Sequence, residues 1–232
     1  MTKINLKEIF SEISNSSYVL LKAPSSLDDY TYGSDLDIFT NELEDVSAKI
    51  ISLLTPYVEN NDLIIDIKDT IGRRYIDLIL DEKINIRFDL CSQFPKYKNI
   101  EIKDSYFDVV IEGKVVEENL FKDKSIKVNI TNSSDEFIIR YIEYHEWFES
   151  RPDKIKHIDI IQKKYNEDEI EEYVSRLHRY LKFPIKKQSK KTFRKKIAEL
   201  FNYYLELLIR STSYIKKHGI KKTMAKVMAK IK

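Results

Sequence analysis

The sequence predicts an α+β fold, with a mixed sheet and its helices in residues 1–131 followed by an all-helical domain over residues 132–232. Up to about residue 130, short apolar runs alternate with turn residues, the pattern of strands. From Ser133 onward the apolar residues fall at helical spacing instead. With 232 residues, 42% hydrophobic and 34% charged, the chain suits a globular class and can bury a sizeable core.

Leu6, Ile9, Phe10 and Ile13 sit at the i, i+3, i+4, i+7 spacing of one helix face, and Tyr18-Val19-Leu20-Leu21 follows as a buried strand. Pro24, Ser25-Ser26 and Asp28-Asp29 mark a loop. A second short strand runs from Asp35 to Thr40. Val46, Ile50, Ile51, Leu53 and Leu54 line a helix expected to stop near Pro56. Strands are predicted at Leu63 to Ile67, Tyr75 to Leu80 and Ile84 to Leu90, the last two joined by the turn Asp81-Glu82-Lys83. In the last of these Ile84, Ile86, Phe88 and Leu90 share one face, and Asn85, Arg87 and Asp89 share the other. Tyr106 to Ile111 and Ile126 to Ile130 are predicted as further strands. Ser133-Ser134-Asp135-Glu136 reads as a capping box, opening helices at about 134–149, 152–165, 167–182, 190–217 and 219–231. The chain shows no internal repeat.

No apolar run approaches the roughly 18 residues that a bilayer requires, so a transmembrane helix is not expected. The N-terminal stretch mixes charges into an amphipathic pattern without an export signal, and the single cysteine, Cys91, cannot form an intrachain disulfide. The expected location is therefore cytoplasmic. The net charge of +2 conceals an asymmetry: residues 185–232 carry 15 Lys or Arg against Glu199 and Glu206, a net of about +13, and the preceding residues about −11.

The chemistry is written most clearly in Tyr32-Gly33-Ser34-Asp35-Leu36-Asp37-Ile38-Phe39. Two carboxylates separated by one residue on a strand point the same way, so Asp35 and Asp37 can share one hard cation. Magnesium takes one or two protein carboxylates and fills its other positions with water and phosphate, which suits a nucleoside triphosphate. Gly33 permits close backbone approach and Ser34 offers a hydroxyl. A third carboxylate on a neighbouring strand would complete a two-metal arrangement. Asp89 is preferred to Asp77 for this role because it lies on the polar side of a cleanly alternating strand.

Gly-Ser-Asp-x-Asp on a strand, with an Asp on a later strand, resembles the DNA polymerase beta-type nucleotidyltransferase superfamily. The run from Val19-Leu20-Leu21-Lys22 through Tyr30 to Asp37 is similar to the nucleotidyltransferases of bacterial surface-polysaccharide biosynthesis, as are Asp135-Glu136-Phe137, Tyr144-His145 and Lys156-His157 to their helical half. The resemblance covers roughly residues 17–165 and is specific at the Asp-x-Asp element. It implies a catalytic domain at 1–131, two magnesium ions held by Asp35, Asp37 and Asp89, an NTP co-substrate, and transfer of a nucleotidyl group to a small or glycan-linked hydroxyl or phosphate acceptor. The chain departs from the pattern upstream, where the superfamily's Gly-Ser pair is replaced by Ala23-Pro24-Ser25-Ser26. Ser25 and Ser26 are the candidates for holding the triphosphate there, and a simple turn after Pro24 is the competing reading.

Arg73, Arg74 and Arg87 suit phosphate oxygens, though solvated strand positions explain them equally well. His145 and His157 lack the spacing of a metal site, and Cys91 reads as a buried small hydrophobe. Tyr141, Tyr144, Trp147 and Phe148 fall at helical spacing and read as an interdomain core. In the tail, the apolar stripe of Phe193, Ile197, Leu200, Phe201, Tyr204, Leu207 and Leu208 precedes a crowd of lysines. Residues 190–232 thus read as a helix packed on the acidic body, one lying peripherally on the anionic inner membrane surface, or one holding an anionic acceptor, with nucleic acid the less favoured partner. The rival to an enzyme is a non-catalytic protein of the same fold that binds RNA or an anionic membrane through this tail.

Overall fold

A computed structural model of the chain describes residues 3–28, 30–59, 63–147, 150–183 and 185. The fold is α+β, built on one seven-stranded mixed sheet. In chain order the elements are α1 (Leu6–Glu12), β1 (Tyr18–Leu20), β2 (Ser34–Thr40), α2 (Leu43–Glu59), β3 (Leu63–Thr70), β4 (Arg73–Leu80), β5 (Lys83–Cys91), α3 (Ser105–Glu112), β6 (Val115–Glu117), β7 (Val128–Ile130), α4 (Ser133–Trp147), a 3-10 turn at Pro152–Lys154, α5 (Ile155–Lys164) and α6 (Glu167–His178). The strands lie in the order β3-β4-β5-β2-β1-β7-β6. β2 runs parallel to β5, and β1 parallel to β7; the other neighbours are antiparallel. Among the described residues no helix is long and apolar enough to cross a membrane.

Period-two alternation gives the sheet two unlike faces. On one, Leu36, Ile38, Ile76, Leu78, Ile86, Phe88 and Leu90 pack with Leu6, Ile9 and Phe10 of α1 and Val46, Ile50 and Leu54 of α2. Each fully buried side chain of this kind contributes about 1.5–3 kcal/mol relative to exposure. On the other, Phe39 meets Phe107 of α3 at 5.0 Å and Phe94 at 5.5 Å between ring centroids. Asp35 and Asp37 of β2, Arg73 and Asp77 of β4, and Arg87 and Asp89 of β5 occupy the rest of that second face.

Several expectations are corrected. α2 does not stop near Pro56 but continues to Glu59 with the proline inside it. Pro56 and Ser52, whose carbonyl loses its helical partner, are both exposed, so the lost bond costs less than it would in the core. The last turn is anchored by Tyr57 and Val58, which pack against the core, and the Tyr57 hydroxyl accepts from the Asn5 backbone N–H at 3.0 Å.

Tyr106 to Ile111 is helix, not strand. Its buried residues Tyr106, Phe107, Val110 and Ile111 form an i, i+1, i+4, i+5 stripe that reads as a strand only in a short aromatic and β-branched run. The Ser133 capping box is also replaced: the Asn132 side chain accepts from the Asp135 N–H at 3.0 Å, while Glu136 accepts from Arg140 at 2.9 Å. A reciprocal capping box forms instead between Asn166 and Glu169. β6 was not anticipated.

The described residues up to Arg140 and from Tyr165 to Phe183 belong to the compact unit that carries the sheet, and Tyr141–Lys164 to a second. In the first, buried Asp135 accepts from Tyr106 at 2.9 Å, Asn132 at 2.6 Å and Arg176 at 2.8 Å, tying α3, α4 and α6 together. In the second, Glu143 accepts from Lys154 at 2.9 Å and stands 3.1 Å from His157. Trp147 is exposed rather than part of a core. Phe148, the helices predicted at 190–217 and 219–231, and the basic tail lie outside the described residues.

Candidate metal centre

The parallel pairing of β2 with β5 sets the site. Its register places Asp37 opposite Asp89 and Asp35 opposite Arg87, so alternation turns all four side chains to the same face. One carboxylate oxygen from each of Asp35, Asp37 and Asp89 lies within 4.8 Å of the others. Asp35 is exposed, Asp37 half-buried and Asp89 buried. Among the described residues this is the one cluster of three side chains able to hold a metal ion.

The entry to β2 is held by backbone and buried polar bonds. Gly33 sits at φ +86, a left-handed conformation that favours glycine, and its N–H donates to the Asn85 carbonyl at 2.8 Å. Buried Tyr30 donates to the Asn85 side chain at 2.8 Å and accepts from the Ile4 N–H at 2.9 Å. Ser34 lies on the opposite face from Asp35 by alternation, and its hydroxyl donates to the Thr31 carbonyl at 2.5 Å. Ser25 and Ser26 are exposed between β1 and β2, and the Ser26 hydroxyl accepts from the Asp28 N–H at 3.3 Å.

Each interior carboxylate has a cation of its own. Arg73 grips Asp89 with two hydrogen bonds, one of 2.6 Å from Nε to Oδ1 and one from Nη2 to Oδ2. The Lys22 ammonium lies 2.6 Å from Asp37 Oδ2. Asp77, a strand further away, is held by Arg87 through two bonds of 2.6 Å. The Tyr75 ring lies beneath both guanidiniums, at 4.6 Å from Arg73 and 5.1 Å from Arg87. Arg74 reaches the other way, to Asp69, Glu44 and Ser47 at 2.7–2.8 Å. The arginines considered for phosphate are thus engaged with carboxylates.

Crowding leaves its mark on Asp35. Its carboxyl is pushed up to about 6, first by the loss of water around it and then by the negative charges of Asp37 and Asp89, with Arg87 and Lys22 opposing. The residue as a whole stays exposed, so the raised direction rests most firmly on the two neighbouring carboxylates. Burial pushes the Cys91 thiol up to about 12, beside Asp89, as befits a packed thiol and not a nucleophile.

The donor set is entirely carboxylate oxygen, the chemistry that a hard divalent ion such as magnesium prefers and a soft one does not. An ammonium already lies against one of these oxygens, so the spot attracts positive charge. The three aspartates fit a magnesium ion on both counts.

In the sequence nothing local marks Lys22 for a role at the site. Only the antiparallel β1–β2 register, with Leu20 opposite Ile38 and the Leu21 N–H bonded to the Asp37 carbonyl at 2.8 Å, brings it to Asp37. No family model, curated protein or solved structure matches this chain.

Proposed function

We propose that the chain is a metal-dependent nucleotidyltransferase that moves a nucleoside monophosphate from an NTP to a hydroxyl or phosphate acceptor. The observation that supports it best is the set of three aspartate oxygens within 4.8 Å of one another on adjacent parallel strands. Magnesium, when bound, neutralises phosphate charge and lowers the pKa of an acceptor hydroxyl. Asp35, Asp37 and Asp89 would hold the ion, the Asp89 rotamer being locked by the two-pronged Arg73.

Catalysis on this reading is positioning and charge neutralisation, which a rigid sheet face performs well. The resemblance implies a second ion, which the triphosphate oxygens would help to hold. The acceptor class, a sugar phosphate, polyol phosphate or glycan-linked group, comes from the resemblance, while a helical domain over 132–232 rests on the helical spacing of the apolar residues after Ser133.

The rival, a non-catalytic protein that binds a polyanion through its tail, draws on the glycine-free segment Ala23 to Ser26, exposed from Pro24 on. Thermal-shift titration of the four NTPs with and without magnesium, paired with pyrophosphate release, separates the two. The enzyme requires a magnesium-dependent shift with at least one NTP and release lost in Asp37→Asn. Undiminished nucleotide transfer by Asp37→Asn would sink it.

A further inference from the structure

We propose that Lys22 is an internal cation standing in the divalent ion's place at Asp37, and that on metal binding it gives up Asp37 and takes a phosphate oxygen of the nucleotide. The second half rests on the nucleotidyltransferase reading; the exchange at Asp37 does not.

The contact itself points to competition. Lys22 Nζ is 2.6 Å from Asp37 Oδ2, with the lysine side chain 12% exposed and that of Asp37 28%. A magnesium ion ligated by the same carboxylate sits at roughly 2.0–2.1 Å from its oxygen. Two cations crowded against one carboxylate repel each other, and the half-buried setting screens that repulsion less than water does.

Charge decides which cation leaves. Asp35, Asp37 and Asp89, fully ionised, with Arg73 retained, sum to −2, which one divalent ion neutralises. Keeping Lys22 as well would leave the site at +1. Arg73 is the harder to displace: it makes two bonds to a carboxylate that is 3% exposed and stacks on Tyr75. Lys22 offers Asp37 a point charge on a flexible four-carbon stem.

The position of Lys22 says where the released ammonium goes. It directly follows β1 and directly precedes Ala23-Pro24-Ser25-Ser26, where the chain has no glycine to bring backbone N–H groups against a phosphate. Its backbone is at φ +48, a left-handed conformation that a lysine seldom adopts. Such a conformation persists only where the surroundings impose it, and functional sites are where it collects. The adjacent Leu21 N–H, bonded to the Asp37 carbonyl at 2.8 Å, holds the chain there. A lysine set against Asp37 at the edge of the three carboxylates is thus placed to supply the positive charge that a glycine loop would otherwise supply through N–H groups.

Lys22→Gln and Lys22→Arg, made in the full chain, test this with manganese alone and then with manganese and each NTP. Free Mn2+ is read by electron paramagnetic resonance, and nucleotide retention by equilibrium dialysis. Lys22→Gln is expected to bind Mn2+ about tenfold more tightly, the size of a typical coupling between competing ligands. At saturating Mn2+ it is expected to hold the NTP about tenfold more weakly, and Lys22→Arg to keep both values near those of the natural chain. Unchanged or weaker Mn2+ binding in Lys22→Gln, with binding abolished in Asp37→Asn, overturns the exchange and leaves the nucleotidyltransferase reading standing. Tighter Mn2+ binding with no NTP held by any form supports the exchange and overturns its phosphate half together with that reading.

Discussion

Asp77 and Arg87 are cross-strand partners joined by two hydrogen bonds of 2.6 Å, and this pairing commits one of the two interior aspartates of β4 and β5 to holding the sheet together. Asp89 is left facing Asp37. Arg87→Met is therefore expected to strand the Asp77 carboxylate, 2% exposed, and cost about 3–5 kcal/mol. Urea unfolding measures the loss. A stability unchanged within error would mean that the pair is not coupled to folding.

Asp37→Asn and Asp89→Asn should part company in stability while agreeing in chemistry. Both are expected to abolish Mn2+ binding and magnesium-dependent pyrophosphate release. Only Asp89→Asn removes the charge from a buried two-pronged pair, so it should destabilise by about 1–3 kcal/mol. Metal titration and thermal melts of the two variants side by side give the comparison.

Three carboxylates within 4.8 Å of one another store repulsion that a metal relieves. In the absence of divalent ions at pH 7.5, Asp35→Asn is expected to melt above the natural chain, by about 2–4 °C if 1 kcal/mol is relieved. Added magnesium should raise the melting point of the natural chain and reverse the order. A lower melting point for Asp35→Asn without metal would show that the cluster is not under strain.

The Tyr141 and Tyr144 rings lie 4.3 and 5.0 Å from the imidazole of His145, whose burial lowers its pKa to about 4 from the ordinary 6.5. Between those values the unfolded chain binds a proton that the folded one refuses. The stability due to a neutral His145 is thus fully present above pH 6.5 and lost as pH falls toward 4. His145→Leu should flatten that decline in urea denaturation followed from pH 7 to 4. An equally steep decline in the variant would assign the loss to other groups.

Much of the site was legible because its spacing is local. Asp35 and Asp37 share a face by alternation along one strand, and β5 shows its polar side in Asn85, Arg87 and Asp89 without reference to any neighbour. The α3 segment reads as a strand because its five aromatic and β-branched residues satisfy a strand's composition as well as a helix's stripe. At Pro56 the sequence carries a helix-breaking residue, but not the information that its face is exposed and the turn beyond it packed.

By itself the sequence determined the α+β class and offered Asp35 and Asp37 as a pair on one face of a strand, with Asp89 preferred to Asp77 as the third carboxylate, since each of these readings uses periodicity within single elements. The tertiary structure alone decided the parallel β2–β5 register that sets Asp37 against Asp89. It alone decided that Arg87 goes to Asp77 and Arg73 to Asp89, and that Lys22 reaches Asp37. These are relations between strands distant in the chain. Their partners are chosen by sheet order and register, which the collective burial of the core determines and no local spacing records.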